Sequence, residues 1–267
     1  MRPPRPWRLE PTLRFLATLM FAFAGSAVAM QGLTRLVATD PAHPAAWQLA
    51  SATGIFHAAG IVALVPFLKS HQVGWREAFG LFASAWRRTG PLAVGLTLPA
   101  MATAWAVHQG SVALLEALGH APDTQAAVDA VRSASGFGER AVLLLFAAGT
   151  APIFEELVFR GVLWPAVRDR GFRWSGSLLV SGLFALIHAN VAAFLPLALL
   201  GMFWIWLYEK TGDLAAPALS HALFNATNFV WILALPADLP AWPVRTRFTR
   251  RSAVPMAEKS LHAPTFW

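Results

Sequence analysis

The chain contains no cysteine, so a disulfide framework, a thiolate metal site and a cysteine nucleophile are all excluded. A single tyrosine stands beside twelve tryptophans and nineteen phenylalanines, which leaves few phenols for proton chemistry. Charge is scarce as well. Only 13% of the 267 residues are charged, where a soluble domain carries about 25%. Acidic residues are the scarcer sign, 14 against 21 Lys and Arg, for a formal charge of +7. No nucleic-acid motif accompanies that charge, so nucleic acid is not an expected partner. Neither an internal repeat nor a second globular domain is visible.

Apolar residues fill the space that charge leaves. They make up 56% of the chain, and the mean hydropathy is +0.51. These values bound the fold class as all-α, a polytopic transmembrane helix bundle in the cell membrane, with about seven to eight spans. Seven apolar segments stand out, at about 13–37, 47–68, 91–118, 139–166, 175–190, 192–208 and 213–235, each near the length a helix needs to cross a bilayer. Segments five and six are separated only by Ala189–Asn190–Val191 and form a tight hairpin. Between segments two and three, Trp75, Phe79, Phe82 and Trp86 alternate with Arg76, Arg87 and Arg88, the pattern of a helix lying in the interface. Residues 119–138 read as a polar loop outside the core, and 236–267 as a flexible basic tail. The expected organisation is thus 1–138 as N-terminal membrane helices, 139–235 as the functional core, and the tail.

Arg2, Arg5 and Arg8 precede an apolar run ending Ala27–Val28–Ala29, which fits a signal peptide. Apolar residues continue to Val37, and this favours an uncleaved first helix. Arg2, Arg5, Arg8 and Arg14 place the N-terminus in the cytoplasm. Lys69, Arg76, Arg87 and Arg88 then fall inside, as do Arg168, Arg170 and Arg173. Seven spans would put the tail, with Arg245, Arg247, Arg250 and Arg251, outside, against the same rule. Basic loops in such a chain also contact anionic lipid.

Glu155 and Glu156 sit side by side in the apolar stretch AVLLLFAAGTAPIFEELVFRGVLW, with Arg160 one turn on. Each such charge costs about 2.5–3.5 kcal/mol at mid-membrane on insertion scales, so three in one span pair with one another or perform chemistry. Residues four apart share a helix face, which pairs Glu156 with Arg160. Glu155 is rotated about 100° away and is left free for acid–base work. Pro152 removes a backbone donor just before the pair. An ion pair that merely joins two helices explains the trio equally well. Phe184 and His188 are also four apart, as are His221 and Asn225, with Asn228 one turn beyond. Interhelical hydrogen bonding accounts for each of these alone. His57 and His108 carry no assigned role.

Together these residues form a set: Glu-Glu-x-x-x-Arg, Phe-x-x-x-His and His-x-x-x-Asn on three successive apolar helices, able to build one site inside a bundle. In this the sequence resembles the CAAX protease and bacteriocin-processing (CPBP, or Abi) family of intramembrane proteases, which includes the type II CAAX prenyl endopeptidases. The resemblance covers roughly 139–235. It includes GMFWIWLYEKTGDLAAPALSHALFN, similar to the family's Gly-x-x-x-Gly-x-x-Tyr-x-x-Thr-Gly region with Trp204 or Ile205 in place of small residues. The resemblance implies an endopeptidase in which Glu155 activates a water with His188 as partner. It implies that His221 and Asn225 stabilise the oxyanion, and that Glu156 and Arg160 support the site.

Family members are often called metalloproteases, and Glu155, His188 and His221 would then hold zinc with an open water position. The His-Glu-x-x-His signature is absent, and a metal-free Glu/His pair explains the same residues, so no cofactor is required. The expected partners are membrane lipid and a peptide or lipid-anchored protein substrate, in an Ala- and Trp-rich chain of bacterial character. The alternatives are a non-catalytic membrane peptide-binding or bacteriocin-immunity protein and, third, a proton-coupled transporter.

Overall fold

The computed structural model describes residues 7–37, 46–81, 83–121, 126–134 and 136–234. Nine helices account for most of them: α1 (Leu9–Val37), α2 (Ala46–Ser70), α3 (Trp75–Phe79), α4 (Ala83–Ala117), α5 (Ala126–Ser133), α6 (Phe137–Arg168), α7 (Arg173–Leu186), α8 (Val191–Thr211) and α9 (Ala215–Ala234). The chain is an all-α membrane bundle. Five of these helices, α1, α2, α4, α6 and α8, are long and apolar enough to cross a bilayer. Helix α7 has 14 residues, and Ser220, His221, Asn225 and Asn228 dilute the apolar run of α9. The expected α7–α8 hairpin is present. Ala189 turns it at φ 47°, and the Asn190 side chain caps α8 by accepting from Ala193 N at 2.8 Å.

Two expectations are corrected. The stretch 119–138 is not a loop outside the core. Ala130, Val131 and Ala134, on and just after α5, are buried against Met30, Leu49 and Phe229, and Val128 is buried as well, so an amphipathic turn hides in small, polar-looking sequence. The interfacial stretch is not one helix either. Gly80, at φ 69°, ends α3 by donating its N–H to Arg76 O, and Trp86, Arg87 and Arg88 belong to the long α4. Phe82, Asp123, residues 1–6 and the tail 236–267 lie outside the described residues.

The core crosses the expected boundary at 138. Phe15, Leu64 and Phe67 from α1 and α2 join Phe154, Val158, Phe184, Trp204 and Phe224 in one buried cluster. On the other side Thr97 Oγ1 donates to Ser220 Oγ at 2.8 Å, and Trp105 Nε1 to Asn228 Oδ1 at 3.0 Å. These bonds fix α4 against α9. Gly60 lets α2 approach α6, since a Cβ there would lie 2.3 Å from the Phe154 ring. That ring is already stacked on His57. Gly60→Val is therefore expected to displace Phe154, the residue before Glu155. It should lower both the unfolding midpoint in detergent and any activity, whereas Gly95→Val, which meets nothing within 4 Å, should lower neither.

Helix α6 is not uniform. It winds as α-helix to Leu145, as π-helix over Phe146–Thr150, as α-helix over Ala151–Glu156, and again as π-helix over Leu157–Leu163. Each wide turn ends just short of a proline, Pro152 or Pro165, whose missing N–H interrupts the ladder. Gly161 O, four residues before Pro165, takes the Trp7 indole N–H instead, at 3.0 Å. Such π turns are frequent at functional sites. The two here flank the turn that carries Glu155 and Glu156.

At one end of the bundle Arg168 pairs with Asp169 and Glu209, both at 2.6 Å, and Trp164 Nε1 donates to Glu209 at 2.9 Å. Arg170 reaches Trp7 O, and Arg8 reaches Ser70 O. Arg8, Arg168 and Arg170 therefore gather at one end of the bundle.

Candidate active site

The first carboxylate to place is Glu156, fully buried at the end of the α-helical turn of α6. Its Oε1 accepts from Arg160 Nη1 at 2.9 Å, as the spacing predicts, and also from His221 Nδ1 at 3.0 Å. A carboxylate paired to a guanidinium accepts only, so Nδ1 of His221 carries the proton and Nε2 is an acceptor. Arg160 is fully buried too. Its Nη2 donates to Gly201 O on α8 at 3.0 Å. Its guanidinium carbon lies 4.7 Å from the centre of the Phe184 ring and 5.2 Å from that of Trp204, within cation–π range.

Gly201 is where α7 and α8 touch, since a Cβ there would lie 2.9 Å from that of Ser181. Trp204 stacks on the His221 imidazole with centroids 4.0 Å apart and planes 19° apart. Its indole N–H is anchored on Ser220 Oγ at 3.1 Å. The bulky residue thus serves as a floor for the ring.

Glu155 points elsewhere. Its Oε2 is buried without a hydrogen bond and lies 3.7 Å from His221 Nε2, too far for a direct bond. The carboxylate forms part of the wall of an apolar cavity of about 520 Å³ between α1, α2, α6 and α7. The imidazole within 4 Å of Glu155 is therefore that of His221, not of His188. His188 donates Nδ1–H to Phe184 O at 2.8 Å and flanks the Phe184 ring, whose centre is 4.8 Å from His188 and 5.7 Å from His221.

Asn225 is committed to the backbone. Ala151 N–H bonds Phe146 O, five residues back. The next donor in that register would be residue 152, a proline. Ala147 O instead takes a proton from Asn225 Nδ2, at 2.8 Å, which leaves one amide proton for another acceptor.

Among the described residues no three His, Asp or Glu side chains converge closely enough to hold a metal ion. Glu155, His188 and His221, the expected zinc set, do not form such a group.

Fold and site together define a multi-pass helical membrane protein with a carboxylate–imidazole cluster buried in its core. Residues 137–227, which span α6 to α8 and most of α9, match the family described as Type II CAAX prenyl endopeptidase Rce1-like. The chain is also 25% identical over 130 residues to "Putative membrane peptidase YdiL" of Bacillus subtilis (strain 168). That alignment covers 49% of this chain and 48% of the relative, so the chain spans about half the length of the protein it matches. No solved structure matches it.

Proposed function

We propose that the protein is an intramembrane endopeptidase that hydrolyses a peptide bond of a membrane-associated protein or peptide, with its N-terminus in the cytoplasm. One observation carries the reading: the hydrogen-bond-free oxygen of Glu155 lies 3.7 Å from the acceptor nitrogen of His221, and Glu155 forms part of a cavity wall. A water held between them has two acceptors and can be aimed at a substrate carbonyl.

Glu155 takes a proton from the water as its oxygen attacks the carbonyl carbon. Shared with His221 Nε2, that proton makes an imidazolium, whose charge Glu156 supports through Nδ1–H, as the carboxylate of a catalytic triad supports its histidine. Nε2–H then faces the oxyanion, alongside the second amide proton of Asn225, and the proton finally passes to the leaving amine. Arg160 holds Glu156 in place. His188, in this arrangement, orders Phe184, against which His221 packs edge-on.

The test is cleavage of a library of apolar peptides in proteoliposomes. The parent is expected to cleave, with Glu155→Ala inactive and His188→Ala slower. Unchanged cleavage by both variants would contradict the mechanism. Since no step uses a metal, 1,10-phenanthroline and EDTA are expected to leave the rate unchanged. Loss of activity restored by zinc would contradict the Glu/His reading.

A further inference from the structure

The early helices carry histidines with different surroundings. His108 Nδ1 meets Ala192 O at 3.2 Å, and His71 accepts from Arg8 N at 2.9 Å. Among the described residues, His57, on α2, has no hydrogen-bond partner for its Nδ1. It is 8% exposed and stacks on Phe154 with centroids 4.5 Å apart and planes 29° apart. The ring lines the same cavity as Glu155. The other polar side chains of that wall are Ser26 and Thr53, and the Ser26 hydroxyl is already bonded to Phe23 O. His57 and Glu155 are thus the wall residues with buried, unpartnered polar atoms. A polar group left unsatisfied in an apolar wall costs stability unless a ligand completes it.

We propose that His57 is a positioning residue that hydrogen-bonds a backbone amide of an apolar peptide lying in this cavity. The inference rests on the peptidase reading and extends the site beyond the region matched to the family. Three features support it. A neutral imidazole offers one donor and one acceptor, the complement of a peptide group. No Lys or Arg lines the cavity to hold a free carboxylate. The volume lies within the usual range for small-ligand sites. Phe154 links the two polar residues, since it stacks on His57 and precedes Glu155 in α6. A peptide held at His57 would therefore be registered against the reacting water.

The experiment measures equilibrium binding of N-acetyl-Leu-Leu-Leu-amide to the full chain in detergent, in a Glu155→Gln background that prevents turnover. The comparison ligand replaces the central amide by an ester, which removes the N–H and weakens the carbonyl. The His57-bearing protein is expected to prefer the amide by about 3- to 10-fold, the scale of one neutral hydrogen bond. His57→Phe is expected to lose that preference while binding the ester as before, and His57→Gln to keep most of it. Unaltered ester binding shows that the Phe variant is folded. Equal amide preference with histidine or phenylalanine at position 57 would overturn the proposal, and so would failure of both ligands to bind the Glu155→Gln protein. If the parent cleaves no peptide but the His57 dependence holds, the peptidase reading fails and the binding site stands.

Discussion

Glu155→Gln is expected to lower the cleavage rate by about 10²- to 10⁴-fold, the range for loss of a positioned acid–base group, with little change in stability. The amide is isosteric with the carboxylate, so the apolar contacts of α6 are kept. The carboxylate makes no hydrogen bond that the change would break. Glutamine cannot take a proton from water, so the loss should fall on kcat and leave KM nearly unchanged. The same substitution separates the enzyme from a peptide-binding protein. A binder would keep its affinity and have no rate to lose, whereas a peptidase would keep its affinity and lose its rate. The measurement is steady-state cleavage of the best library peptide, with thermal unfolding followed in parallel.

Arg160→Met is expected to destabilise the fold by about 3–5 kcal/mol, the cost of leaving one partner of a buried ion pair unmatched. Arg160 and Glu156 both have side chains of 0% exposure, and Glu156 would keep only His221 as a donor. The bond to Gly201 O, which ties α6 to α8, is lost as well. The double change Glu156→Leu with Arg160→Met replaces both charges by apolar groups and is expected to recover most of the stability. It should not recover activity, because His221 Nδ1 then has no carboxylate to hold its tautomer. Chemical denaturation in detergent micelles reads the first effect and cleavage the second. An Arg160→Met protein as stable as the parent would show that the pair contributes nothing to the fold.

The Glu156–Arg160 contact is legible in the helical periodicity, since both residues lie on one helix and the spacing is local. The split between the two glutamates is legible for the same reason. Contacts between helices are not. That Glu156 also holds His221, 65 positions away, depends on how α9 docks, which no spacing encodes. The partner of Glu155 differs from the expected one on the same account, with His221 rather than His188 at its side. The role of Asn225 follows from the π turn at Phe146–Thr150, and Pro152 is the one sign of that turn in the sequence. The use of Trp204 as the stacking surface for His221 depends on the docking of α8 on α9. The early helices look bare of function because their one relevant residue, His57, has an ordinary apolar context in the chain.

The most direct test of the central claim is the cleavage rate of Glu155→Gln, His221→Phe and the variant carrying both. If Glu155 and His221 act on one water as a unit, each single change removes the same step and the double variant is no slower than the slower single, the non-additivity expected of groups that act together. His221→Phe keeps an aromatic ring over Trp204 but gives up the bond to Glu156, so thermal unfolding of each variant is followed in parallel and rates are compared at temperatures where all are folded. Rates in which the two losses multiply, or a single variant as fast as the parent, would contradict the account.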